Sequence, residues 1–147
     1  MDRYQRELAA LGDATALDGA PHEEFWRRVE DSTPRFLGSN PDGAVVRVSC
    51  TLTDLEKVMT PLTVPAMARA GSGVCYLYFD DTAAAARYAA DAAAQSWKAV
   101  IEYAPESRKS QLELWPAPGA DFETMRRLKA LFDPSNVLNR GRLYHRL

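Results

Sequence analysis

From Ala44 to Cys50 the chain alternates. Val46, Val48 and Cys50 fall on one side and Arg47 and Ser49 on the other, the period-2 mark of a half-buried strand. Val74-Cys75-Tyr76-Leu77-Tyr78-Phe79 is apolar at every position, as in an interior strand covered on both faces. Lys98 to Tyr103 alternates again, with Ala99, Ile101 and Tyr103 opposite Lys98, Val100 and Glu102. Gln111 to Trp115 is expected as a fourth strand, Leu112 and Leu114 pointing one way and Gln111, Glu113 and Trp115 the other.

Between these runs the period lengthens to that of a helix. Tyr4, Leu8 and Leu11 form one stripe ahead of Gly12. Phe25, Trp26 and Val29 share a side between Glu23 and Asp31, and the aromatic pair is expected in the core. Thr53-Asp54-Leu55-Glu56 has the form of a capping box before a stripe of Leu55, Val58, Met59 and Leu62, with Pro61 and Pro65 limiting the later turns. Asp80, Asp81 and Thr82 offer caps for an alanine-rich helix from Ala83 to about Gln95. A last helix follows Asp121, with Phe122, Met125, Leu128, Leu131 and Phe132 as its apolar face. Ser32 to Gly43 is expected as a loop because Pro34, Gly38, Asn40, Pro41, Asp42 and Gly43 crowd it, and Ala70 to Gly73 as a turn.

This order of elements fits an α+β sandwich of ferredoxin-like type, a mainly antiparallel sheet with helices on one face. Three segments are expected: an N-terminal helical segment and loop over 1–43, an α+β core with its final helix over 44–132, and a tail over 133–147. At 147 residues the chain has the length of one ordinary domain.

Charge and cysteine usage narrow the function. A formal net charge of -2 and a pI near 5.7 argue against a nucleic-acid partner. Cys50 and Cys75 sit within apolar runs and favour buried thiols over a redox or metal motif. His22 and His145 are too far apart to complete a ligand set by spacing. The start lacks an apolar leader and no run approaches a membrane span, which points to a cytoplasmic protein. No nucleophile elbow, phosphate loop or dinucleotide fingerprint is present, so a complete cofactor site is not expected.

One face of the sheet carries the candidate chemistry. If Val46, Val48, Cys50, Ala99, Ile101, Leu112 and Leu114 point to the helices, then Arg47, Ser49, Lys98, Glu102, Gln111 and Glu113 collect on the other side, with Tyr76 and Tyr78. A solvated sheet face is the plain reading. The sharper one makes Arg47, Tyr76 and Tyr78 substrate-facing, since a guanidinium fork can hold a small 2-hydroxy carboxylate by two bonds. No residue is singled out as catalytic.

The C-terminal stretch is the most specific. Leu128-Lys129, Phe132-Asp133-Pro134 and Leu138-Asn139-Arg140-Gly141-Arg142-Leu143 describe a helix stopped at Asp-Pro, where the residue before proline leaves the α region, and then a turn-rich tail. These residues resemble the C-terminal signature of FAD-linked oxidases of the vanillyl-alcohol oxidase superfamily, closest to the FAD-binding subunit of glycolate oxidases. Arg140 stands where many members have proline. The resemblance implies a substrate or cap domain of an FAD-dependent 2-hydroxy-acid oxidoreductase, with FAD in the complete enzyme and not held by this chain alone. It implies Asn139, Gly141 and Arg142 as cofactor-side residues. The implied partners are an FAD-binding domain or subunit, an iron-sulfur subunit of a glycolate oxidase complex and a small 2-hydroxy acid. Such a chain is expected to lack the FAD-binding half and to be inactive alone. The alternative is a self-contained ferredoxin-like module for ligand binding or dimerisation, pairing through an apolar edge or sheet face.

Overall fold

A computed structural model describes residues 3–10, 12, 15–141 and 144. The chain divides into two compact units, residues 1–35 and 36–147.

The first unit holds helices α1 (Arg3–Ala9) and α2 (Ala20–Glu30). Pro21 enters the first turn of α2, where a missing N–H costs nothing. Phe25 and Trp26, expected in the core, are about half exposed at 48% and 50%. The Trp26 indole donates to His22 Nε2 at 2.9 Å. Glu24 accepts from both Arg27 and Arg28, and these bonds hold its carboxyl below the usual range. Leu11 lies outside the described residues.

The division falls within helix α3 (Ser32–Ser39), where a loop is expected from the sequence. Pro34 is tolerated there because it occupies the first turn. The turn signals act one step later: Asn40 returns its amide to the Phe36 carbonyl at 2.8 Å, and the Gly43 N–H donates to Asn40 O at 2.9 Å.

The second unit is built on four strands, β1 (Ala44–Ser49), β2 (Ala66–Arg69), β3 (Val74–Phe79) and β4 (Lys98–Tyr103), in the spatial order β2-β3-β1-β4. Every neighbouring pair is antiparallel. The remaining helices are α4 (Leu55–Met59), α5 (Thr82–Ala94), α6 (Glu106–Lys109) and α7 (Phe122–Phe132). Each crossover, through α4 and through α5, returns the chain with one strand interposed. This is an α+β fold with a split β-α-β connectivity.

Ala44, Val46, Val48, Cys75, Leu77, Phe79, Ala99 and Ile101 form one buried layer. Val58 of α4 and Ala85 and Ala92 of α5 join it; the small side chains of α5 permit close approach to the sheet. Asp81 caps α5, its carboxylate accepting from Ala83 N at 3.1 Å and Ala84 N at 3.0 Å. The expected capping box is not formed: Leu52–Asp54 is a 3-10 turn, and the Thr51 hydroxyl bonds Asp54 instead.

One strand expectation is corrected and one strand was not expected. Gln111–Trp115 is not a strand; a single ladder-like bond, Ile101 N to Leu114 O at 2.9 Å, holds it near β4. The N–H groups of Gln111 and Leu112 are already turned back to Arg108 and Lys109, and Pro116 cannot donate. The fourth strand is instead β2, whose Ala-Met-Ala-Arg composition favours helix and becomes strand only through pairing with β3. Among the described residues no helix is long and apolar enough to cross a membrane, and no group of three or more His, Cys, Asp or Glu could hold a metal ion.

Candidate functional site

The register of β1 on β3 sets Arg47 directly opposite Tyr76, and β1 on β4 sets it beside Val100. Alternation therefore does bring Arg47 and Tyr76 together on the sheet face away from α5. The Arg47 side chain is one-third exposed. Its Nε lies 3.8 Å from Glu102 and its Nη1 3.4 Å from the Ser49 hydroxyl. Both contacts are long, so the guanidinium keeps donors for another acceptor. Arg69 of β2 lies over the Tyr76 ring, 5.5 Å from its centroid. It adds a second cation to this face that alternation in β1 and β3 did not disclose.

Tyr78 shares the face but not its accessibility. It is 5% exposed, with its ring 5.3 Å from that of Phe36. Phe36, from α3, covers this end of the sheet, so helical cover is not confined to one face. Of the three substrate-facing candidates, Arg47 and Tyr76 are reachable and Tyr78 is packed away.

On the opposite face, Tyr88 of α5 stacks near Phe79 at 5.5 Å, and its buried hydroxyl has no hydrogen-bond partner among the described residues. Burial, then the neighbouring Cys75 and Cys50, pushes this phenol up. Burial and the Cys50 thiol push Cys75 up to about 11, which keeps it a neutral core thiol.

The tail is organised by a residue that sequence reasoning used only as a helix stop. Asp133 is 6% exposed at the end of α7, and its backbone N–H closes that helix on Lys129 O at 2.8 Å. Its two carboxylate oxygens accept from Val137 N and Leu138 N, each at 2.9 Å. Lys129 bonds both this carboxylate and the Leu138 carbonyl. The lysine, followed by the two N–H groups, holds the Asp133 carboxyl down to about 2. The available signal was the spacing of Lys129, Asp133 and Val137, each four residues from the next.

Asn136 and Asn139 have φ of 48° and Gly141 φ of 65°, left-handed positions along the loop. Asn139 and Gly141 are exposed. The Arg140 guanidinium is spent on the Asn136 carbonyl. Arg142 lies outside the described residues.

These features define an α+β domain with a cationic, aromatic sheet face and an aspartate-braced C-terminal loop. Residues 108–143 match the family described as FAD linked oxidases, C-terminal domain. The match spans about a quarter of the chain, from the end of α6 through α7 and the Asp133 loop, and supports reading it as part of an FAD-linked oxidase. Comparison with curated proteins and with solved structures gave no match.

That family implies FAD in the complete enzyme. The start of α5 does not fit the pyrophosphate of such a cofactor. The free N–H groups that a phosphate would need at the start of α5 are already taken by the Asp81 carboxylate, which would itself repel an anion.

Proposed function

We propose that the chain is the substrate-facing cap domain of an FAD-dependent 2-hydroxy-acid oxidoreductase of glycolate-oxidase type, with the flavin held by another domain or subunit. The observation that carries this reading is the family match across α7 and the Asp133 loop. The Arg47–Tyr76 pair supports it further. A guanidinium with donors to spare, beside a phenol, can take a carboxylate by two N–H bonds while the phenol meets the 2-hydroxyl. In this arrangement Arg47 and Tyr76 bind and orient the acid. The braced loop presents Asn139 and Gly141 toward the flavin-bearing partner, and Arg142 extends the same segment. An iron-sulfur subunit as further partner and a cytoplasmic location belong to the same reading.

The pure chain is expected to carry no flavin absorbance and to leave glycolate and lactate unoxidised. Supplied with the FAD-binding partner, it should support their oxidation. Unaided turnover by the flavin-free chain would overturn the reading. In the assembled enzyme, Arg47→Ala should raise KM for the 2-hydroxy acid by about tenfold or more with a smaller change in kcat, since it removes a charge-assisted contact to the carboxylate. Arg47→Lys should recover only part of this, because a lysine is a point charge without the fork. An unchanged KM in Arg47→Ala removes Arg47 from the site.

A further inference from the structure

The register of all four strands lays out two rows of side chains on the sheet face away from α5. Met67, Tyr76, Arg47 and Val100 stand opposite one another in one row, and Arg69, Val74, Ser49 and Lys98 in the next. Three of these eight residues are cations and none is an acid. Met67, Val74 and Val100 give the face an apolar floor, and Ser49 and Tyr76 supply hydroxyls. Glu102, next to the shift in register between β1 and β4, lies 3.8 Å from the Arg47 Nε.

Arg69 belongs to this site by position and by contact. Its strand, β2, is two strands from β1, about 10 Å between backbones. Its guanidinium nevertheless folds back over the Tyr76 ring, 5.5 Å from the centroid. The phenol therefore lies between two guanidiniums, with Arg47 from the strand on one side and Arg69 from the strand on the other. Stacking occupies the flat face of a guanidinium and leaves its N–H edge for a planar acceptor. Lys98 has the same charge but stands on the far edge strand, separated from Tyr76 by β1.

A small acid bound through Arg47, with its hydroxyl toward Tyr76, brings its far end over the ring and into the field of Arg69. A methyl group there gains nothing from a guanidinium, whereas a carboxylate gains a second charge-assisted pair. We infer that the site prefers a 2-hydroxy acid with a second carboxylate, a short dicarboxylate whose first carboxylate meets Arg47 and whose distal one meets Arg69. The inference rests on the reading of Arg47 and Tyr76 as the substrate face and deepens it. Glycolate and lactate are then the minimal part of the preferred molecule.

The full chain titrated at low salt with racemic malate and racemic 2-hydroxybutanoate tests it, because the two acids differ only in a carboxylate against a methyl group. The readout is the Tyr76 ring resonance, assigned with Tyr76→Phe. Malate should bind about tenfold tighter. Arg69→Ala, at an exposed position, should bring malate down to the level of 2-hydroxybutanoate while circular dichroism stays unchanged. Lys98→Ala removes the same charge from the same face and should weaken malate by about twofold at most. Arg47→Ala should weaken both acids. If 2-hydroxybutanoate binds through Arg47 and malate binds no tighter, the inference fails while the substrate face stands. Equal losses of malate in Arg69→Ala and Lys98→Ala would assign the preference to diffuse attraction and overturn it as well. If neither acid depends on Arg47, the substrate face itself fails and takes the inference with it.

Discussion

Gly73→Ala is expected to destabilise the second unit by about 3 kcal/mol or more, the sum of a left-handed backbone penalty and a direct collision. Gly73 follows the short 3-10 turn Ala70–Ser72 and enters β3 with φ 64° and ψ 29°. A methyl group there would sit 2.2 Å from the Cys50 carbonyl oxygen. That carbonyl is backbone and cannot rotate aside. Cys50 is also tied to the same glycine by its N–H, which donates to Gly73 O at 2.9 Å. The methyl could be accommodated only by opening the end of the β1–β3 ladder. Urea denaturation should show a lower midpoint with an unchanged slope. Gly71→Ala is the control: nothing lies within 4 Å of its added carbon and no positive φ is required, so it should stay within about 0.5 kcal/mol of the parent. Equal midpoints for the two variants would show that Gly73 is not the constraint it is taken to be.

Asp133→Ala is expected to release the loop after α7 while leaving the sheet intact. The substitution strands the N–H groups of Val137 and Leu138 and removes the anionic partner of Lys129. Hydrogen exchange at those two amides should accelerate by roughly tenfold, the loss of an ordinary hydrogen bond's protection, with β1 and β3 amides unchanged. The same carboxylate makes the loop acid-sensitive. Its folded value of about 2 lies below the ordinary 3.8, so the folded loop holds fewer protons there than the open one. Its contribution is fully present above about pH 4 and is lost as pH falls toward 2 and below. Protection of Val137 and Leu138 should fall through that window in the parent. In Asp133→Ala that acid-dependent component should be missing, and a parallel pH profile in the two proteins would assign the loop's order to something else.

Periodicity made β1, β4 and α7 legible in the sequence, because burial on one face imposes a repeat; β3 was legible as a continuous apolar run and α5 as an alanine-rich run behind capping aspartates. β2 was hidden for the opposite reason: Ala66–Arg69 has no strand preference of its own and takes its conformation from its neighbour. Gln111–Trp115 misled by keeping the right alternation, which here seats Leu112 and Leu114 against the core without a ladder. At the candidate site, alternation sorted Arg47 and Tyr76 onto one face but said nothing about their direct opposition, which depends on register. Tyr78 was lost to Phe36, a residue 42 positions away by number, whose approach no local pattern encodes. The bracing role of Asp133 is hidden in the sequence behind Pro134, which by itself accounts for the helix stop.

The order β2-β3-β1-β4 has a consequence for synthesis. β1 leaves the ribosome before either of its neighbours, and its valines must wait for Val74–Phe79 and then for Lys98–Tyr103 before both edges are paired. The hairpin of β2 and β3 can close early, but the centre of the sheet cannot be finished until β4 emerges. A nascent chain halted within α5 would expose the β4-facing edge of β1 with its unsatisfied backbone groups, which makes that interval the one most open to chaperone capture or to mispairing between neighbouring nascent chains.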